Sequence, residues 1–233
     1  MSSRWKLIIE YDGLPFNGWQ SQKDQSGVQD FLKTAIKNFS NEAVKIYAAG
    51  RTDSGVHALG QVAHFDLERQ TSANEIREAL NNHLKPNPIA VISAEEVSND
   101  FHARFSALKR HYRYDIINRR PPLTLDKGRF WRVGKSLDIK LMIEASKYIE
   151  GNHDFTTFRS THCQSKSPIK TIDLIEIEQS GLEINIFISA KSFLHNQVRS
   201  IVGSLKLVGE GKWESSKIKE ILKKKDRTLC GPV

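Results

Sequence analysis

The run Ala49-Gly50-Arg51-Thr52-Asp53-Ser54-Gly55-Val56-His57-Ala58 brings a guanidinium, a carboxylate and an imidazole together among Gly50, Gly55 and Gly60. A carboxylate flanked in this way is a candidate functional group. The plainer reading is an Arg51–Asp53 surface pair in an elaborate turn, and spacing alone leaves both open. The flanking segments Ala43–Ala48 and Gln61–Leu67 read as strands, the second alternating Val62, His64, Asp66 against Ala63, Phe65, Leu67. About a dozen residues join them, whereas hairpin loops usually run to about 2–5, so the connection is a candidate functional element. Its glycines permit backbone conformations and close approaches that other residues forbid.

The elements around that loop follow from apolar periodicity. Lys6–Tyr11 reads as a strand. Val28, Phe31, Leu32, Ala35, Ile36 and Phe39 recur at helical spacing. Ser72 and Glu75 form a capping box for a helix carrying Ile76, Ala79 and Leu80, which ends near Pro86. Ile89–Val97 is a further strand, giving β-α-β-β-α-β over the first half. The second half begins again with Tyr112–Ile117, a helix capped by Asp138 that carries Leu141, Met142, Ala145, Tyr148 and Ile149, and a hairpin of Thr171–Gln179 and Leu182–Ala190 about Ser180-Gly181. A helix through Val198, Ile201, Val202, Leu205 and Val208 follows, stopped by Gly209 and Gly211, and then a short one around Lys217–Lys224. The expected class is α+β: two pseudo-repeated β-α-β-β-α-β, ferredoxin-like halves, residues 1–107 and 108–233, sharing a mostly antiparallel sheet with helices on one face and a central cleft. By that repeat a closing strand should follow Leu229-Cys230-Gly231-Pro232-Val233, so either the second half lacks it or the sequence stops short of it.

Composition bounds the rest. The 233 residues carry a net charge of +8, which favours a polyanionic partner without saying which. No apolar run approaches the ~20 residues needed to span a bilayer, and the first residues lack a secretory core, so a cytoplasmic protein is expected. Cys163 and Cys230 have no metal-ligand spacing, the scattered histidines do not read as a zinc site, and no phosphate loop or dinucleotide motif stands out. Arg110, Arg113, Arg119 and Arg120 form one basic cluster. Lys223, Lys224 and Lys225 form another, read as a solvated helix face.

Several segments then combine. The Asp53 run with Gly60-Gln61-Val62-Ala63-His64-Phe65, and Glu10-Tyr11-Asp12-Gly13 with Gly18-Trp19-Gln20, are joined by Asp100-Phe101-His102-Ala103-Arg104-Phe105-Ser106-Ala107 and by Arg113 between Tyr112 and Tyr114. Asp154-Phe155, Phe158-Arg159, Cys163-Gln164-Ser165, Phe193-Leu194-His195, Val198-Arg199, Ile201-Val202-Gly203 and Lys225-Asp226-Arg227 follow in order. Together they resemble the tRNA pseudouridine synthase A (TruA) family over nearly the whole chain. Departures are His111 where arginine is frequent, Asn196-Gln197 for a common His-Met pair, and Ser54 where alanine is frequent.

The resemblance implies an enzyme that converts uridine to pseudouridine at positions 38, 39 and 40 of the tRNA anticodon arm, as a homodimer and without a cofactor. It makes Asp53 the catalytic carboxylate and Arg199 the cation paired with it. Tyr112 becomes the residue that stacks on the displaced uracil, with Tyr114 as a rival better read as core. Arg51 helps extrude the base and fills its place, while Arg104 and His57 support the loop or contact RNA. A fold-retaining RNA-binding protein without the chemistry, and a related synthase aimed at another RNA site, are the competing readings.

Overall fold

A computed structural model describes residues 2–233, which divide into two compact units with the boundary between Leu108 and Lys109. The first has the order β1 (Ser3–Tyr11), α1 (Val28–Ser40), β2 (Tyr47–Ala48), β3 (Ala58–Leu67), α2 (Ala73–Leu84) and β4 (Ile89–Val97). Its sheet runs β2-β3-β1-β4, antiparallel at every pairing. Alternation along β1 sends Trp5, Leu7, Ile9 and Tyr11 inward, each at most 3% exposed. They meet Val28, Leu32, Ala35 and Ile36 of α1 and Ile76, Leu80 and Leu84 of α2 in one apolar cluster. The capping box forms as expected: Ser72 Oγ accepts the Glu75 N–H, and the Glu75 carboxylate accepts the Ser72 N–H at 2.8 Å. Asn81 of α2 bonds both the N–H and the C=O of Val91, at 2.7 and 2.9 Å, which fixes the helix along β4.

The second unit contains β5 (Arg110–Asn118), β6 (Trp131–Val133), α3 (Ile139–Ser146), β7 (Gly151–Asp154), β8 (Ile169–Ser180), β9 (Glu183–Ala190), α4 (Gln197–Gly209) and α5 (Lys217–Lys224). Its sheet runs β6-β5-β9-β8-β7. Ile184, Ile186, Ile188 and Ala190 of β9 are fully buried against Ile201, Val202, Leu205 and Val208 of α4. Asp138 caps α3 by accepting the Leu141 N–H, and the β8–β9 hairpin turns at Gly181, where φ is +59°.

The α+β class and the two-half organisation hold, with the hydrogen bonding arranged in two ladders, one in each unit. Three local expectations change. The Ala43–Ala48 strand shrinks to Tyr47–Ala48, because the Gln29 side chain takes the Ile46 carbonyl at 2.9 Å. The helix after Asp138 stops at Ser146, and Tyr148 and Ile149 follow in a turn, where Ile149 is still buried. Two strands appear that periodicity did not announce, β6 and β7. In the repeat, a closing strand would lie beside β5 as β4 lies beside β1. That edge of β5 is taken over Ile116–Asn118 by β6, running parallel.

Candidate active site

The Asp53 loop is anchored to the connection between β1 and α1, largely by main-chain atoms. The Trp19 N–H donates to the Thr52 C=O at 3.1 Å, and the Val56 N–H donates back to the Asp53 C=O at 3.2 Å. Tyr11, buried at the end of β1, shares a 2.8 Å hydroxyl–hydroxyl hydrogen bond with Thr52. Burial pushes the Tyr11 phenol up, and its bond to Thr52 pulls against that. The upstream end is held by the Gln61 side-chain amide, which donates to the Gly50 C=O at 2.9 Å.

Two glycines let the strands of backbone come this close. A Cβ on Gly13 would stand 2.1 Å from the Val56 carbonyl oxygen, and one on Gly18 would stand 2.5 Å from that of Thr52. Gly18 also has φ +83°, a region L side chains seldom enter. Asp53 is half-buried at the crest of this loop and Arg51 is exposed beside it.

His57 closes the loop. Its Nδ1 lies 3.1 Å from the Gly13 N–H and 3.1 Å from Asp12 Oδ1. By accepting from Gly13 and facing Asp12, His57 ties the loop to the β1 turn. Its geometry is that of a loop support.

Arg104 is carried by a separate turn, and His64 of β3 holds that turn. His64 is 1% exposed, and its Nδ1 accepts the Ala103 N–H at 3.1 Å. Burial, and then the neighbouring charges of His102 and Arg4, lower its pKa to about 4, so the ring is neutral and keeps its acceptor. Sequence reading placed His64 on a strand without this role, since only folding brings residue 103 to it.

In the second unit, Tyr112 stands on β5 with its ring edge-to-face to Phe193, centroids 5.1 Å apart. Arg199 is the third residue of α4, half-buried. The turn before α4 is pinned by Ser160 N–H to His195 C=O at 2.9 Å and by Leu194 N–H to Gln197 Oε1 at 2.8 Å. Tyr114 packs on the core against Trp131, as expected of a core tyrosine. Burial raises its pKa, and the Arg199 charge opposes that, which places Arg199 in the neighbourhood of β5. Tyr112, Phe193, Tyr114 and Arg199 thus share one region.

The basic clusters are partly committed within the chain. Lys224 pairs with Glu220 at 2.7 Å and Lys225 with Asp154 at 3.2 Å, in keeping with a solvated face. Arg113 pairs with Asp115 at 3.0 Å. Among the described residues no group of three or more His, Cys, Asp or Glu is arranged to hold a metal ion, and no helix is long and apolar enough to cross a membrane.

The sequence model of a family described as tRNA pseudouridine synthase matches residues 7–106 and 145–233. The chain belongs to the tRNA pseudouridine synthase family. Among its relatives, proteins called tRNA pseudouridine synthase A from Parvibaculum lavamentivorans and Xanthobacter autotrophicus are each 55% identical over 230 residues, covering 99% of this chain and 94% of theirs. The one from Maricaulis maris is 53% identical over 230 residues, 99% of this chain and 92% of its own. The chain is therefore an isomerase acting on uridine in tRNA. The two matched stretches contain Arg51, Asp53, His57, Arg104 and Arg199, while Tyr112 lies between them.

Proposed function

We propose that this tRNA pseudouridine synthase acts on the anticodon arm, at positions 38, 39 and 40, with Asp53 as the catalytic carboxylate. The observation that carries the reading is the clamp on the Asp53 loop: main-chain bonds and glycine approaches fix a half-buried carboxylate on a rigid support. Such preorganisation is what a reaction of positioning needs, since the uracil must leave its ribose nitrogen bond, turn, and rejoin through carbon. The reaction is an internal rearrangement and calls for no group donor.

In this reading Arg199 is the cation that serves the reaction alongside Asp53. An ionised carboxylate is required whether it attacks the uracil, attacks the ribose or promotes a glycal route. The Tyr112 ring stacks on the turned uracil, braced by Phe193. Arg51, exposed beside Asp53, enters the space the extruded base leaves. Arg104 contacts RNA from the His64-held turn, and His57 steadies the loop. The enzyme works in the cytoplasm as a homodimer, one protomer holding the tRNA body while the other modifies it.

Mapping pseudouridine in tRNA after incubation with the wild-type chain and with Asp53→Asn tests this. Modification is expected in the anticodon arm with wild type and is lost in the variant, which still binds tRNA. Turnover by Asp53→Asn would remove the carboxylate from the chemistry, and modification elsewhere would favour a synthase with another target. A native mass equal to one chain in an active sample would refute the dimer.

A further inference from the structure

Four rings of the first unit form a continuous aromatic run that the chemistry at Asp53 does not use. Tyr47, in the strand that leads into the Asp53 loop, stacks on His64 with centroids 5.1 Å apart and planes at 17°. His102 meets His64 at 4.8 Å and Tyr47 at 5.3 Å, and Phe105 lies over His102 at 4.4 Å. His64 at the base is buried, yet Tyr47 is 45% exposed and Phe105 is 75% exposed. The Arg104 guanidinium stands 5.7 Å from the Phe105 ring centre.

Exposure alone does not set Phe105 apart, since Leu108 and Leu125 are more exposed; what does is its ring lying on His102 with the Arg104 guanidinium beside it. The turn that presents the ring is tied to His64 through the Ala103 N–H and closed by Ser106 N–H to His102 C=O at 2.8 Å. A π-face beside a guanidinium offers stacking to a base and charge to its phosphate, the pairing by which proteins hold unpaired nucleotides. The chain's net charge of +8 supplies the same sign over a wider area.

We infer that Phe105, with Tyr47 and His102, is a stacking ledge for an unpaired tRNA base other than the uridine being isomerised, and that Arg104 contacts the adjoining phosphate. The inference rests on tRNA being the substrate. It adds a second nucleotide-holding point in the first unit, and makes Phe105 a binding residue separate from the Asp53 chemistry. Stacking and phosphate contact differ in their response to salt, since only the second releases counterions.

The test is tRNA binding by the full chain at a series of salt concentrations from about 50 to 200 mM, together with steady-state pseudouridine formation. Phe105→Ala is expected to weaken binding by about fivefold to a hundredfold, by the same factor at every salt concentration. The loss appears as a raised KM, and Phe105→Trp restores it. Arg104→Gln is expected to lower the slope of log K against log salt by about one. Wild-type affinity in Phe105→Ala overturns the ledge. So does a loss of binding that tracks a change in native mass and is not rescued by tryptophan, because the ring then lies between two copies of the chain. Asp53→Asn, measured alongside, keeps the two readings apart: it loses turnover and retains binding whether or not the ledge exists.

Discussion

Adding one methyl group at Gly13 perturbs the clamp on the Asp53 loop most directly. Gly13 needs no unusual φ, so Gly13→Ala changes space alone, and the new Cβ would fall 2.1 Å from the Val56 carbonyl oxygen and 2.4 Å from its carbon. Ordinary contact begins near 3.4 Å, so the two backbones must part by about an ångström. Both are main chain and neither can swing aside as a side chain would. Separation stretches the His57–Gly13 bond and moves the segment carrying Asp53.

Overpacking of this kind costs about 1–3 kcal/mol, and an ångström of misplacement in a catalytic group costs on the order of a hundredfold in rate. Gly13→Ala should therefore lower the single-turnover rate of pseudouridine formation about a hundredfold, with tRNA affinity little changed and the melting temperature down by several degrees. Gly50→Ala is the matched control, because nothing lies within 4 Å of its Cβ and its φ is not positive. Gly55→Ala separates strain from space: its Cβ has room but φ is +75°, so about 1 kcal/mol of conformational cost is expected without a clash. A folded Gly13→Ala that turns over at the wild-type rate would show that the clamp does not position the carboxylate.

Three further outcomes are expected. His64 titrates near 4 in the folded chain against an ordinary value of 6.5, so the unfolded chain binds the extra proton between those values and stability falls as pH drops through that window. The loss from pH 7 to pH 5 is about 2 kcal/mol, and His64→Gln, which keeps an acceptor for Ala103, should flatten that part of a melting-temperature profile; an unchanged profile would clear His64. Arg199→Met should cut turnover severely with a modest loss of tRNA affinity, and wild-type turnover would remove Arg199 from the site. Tyr112→Phe keeps the ring against Phe193 and should retain binding, whereas Tyr112→Ala should lose both binding and rate; equal defects in the two would point to the hydroxyl instead of the ring.

The elements most legible in the sequence were those specified locally. Ser72 with Glu75 and Asp138 with Leu141 cap their helices through side chains a few residues away, so local pattern sufficed. The strand expected over Ala43–Ala48 is shorter because apolar residues there report burial and not pairing: Val44 and Ile46 pack on the core, but a glutamine occupies a carbonyl that a ladder would use. Trp131–Val133 and Gly151–Asp154 were silent because strands of three and four residues owe their form to neighbours already in place. At the site, Arg51, Asp53 and His57 stood out by type and spacing. Their anchors did not, since Trp19 N–H and Thr52 C=O are atoms every sequence possesses, and the ledge joins residues 47, 64, 102 and 105 only after β3 has formed.

The shortness of β2, β6 and β7 has a consequence for how copies of this chain behave at high concentration. These strands of two, three and four residues form three of the four outer margins of the two ladders. The fourth, β4, has nine residues, with acidic Glu95 and Glu96 in its outer half and a bulge opposite Ile8 and Ile9. Short, charged or irregular margins are poor templates for a foreign strand. Addition of a foreign strand to β2, β6, β7 or β4 is thereby discouraged, whereas the parts of β3, β5 and β8 that reach past their short neighbours depend on their own side chains for the same protection.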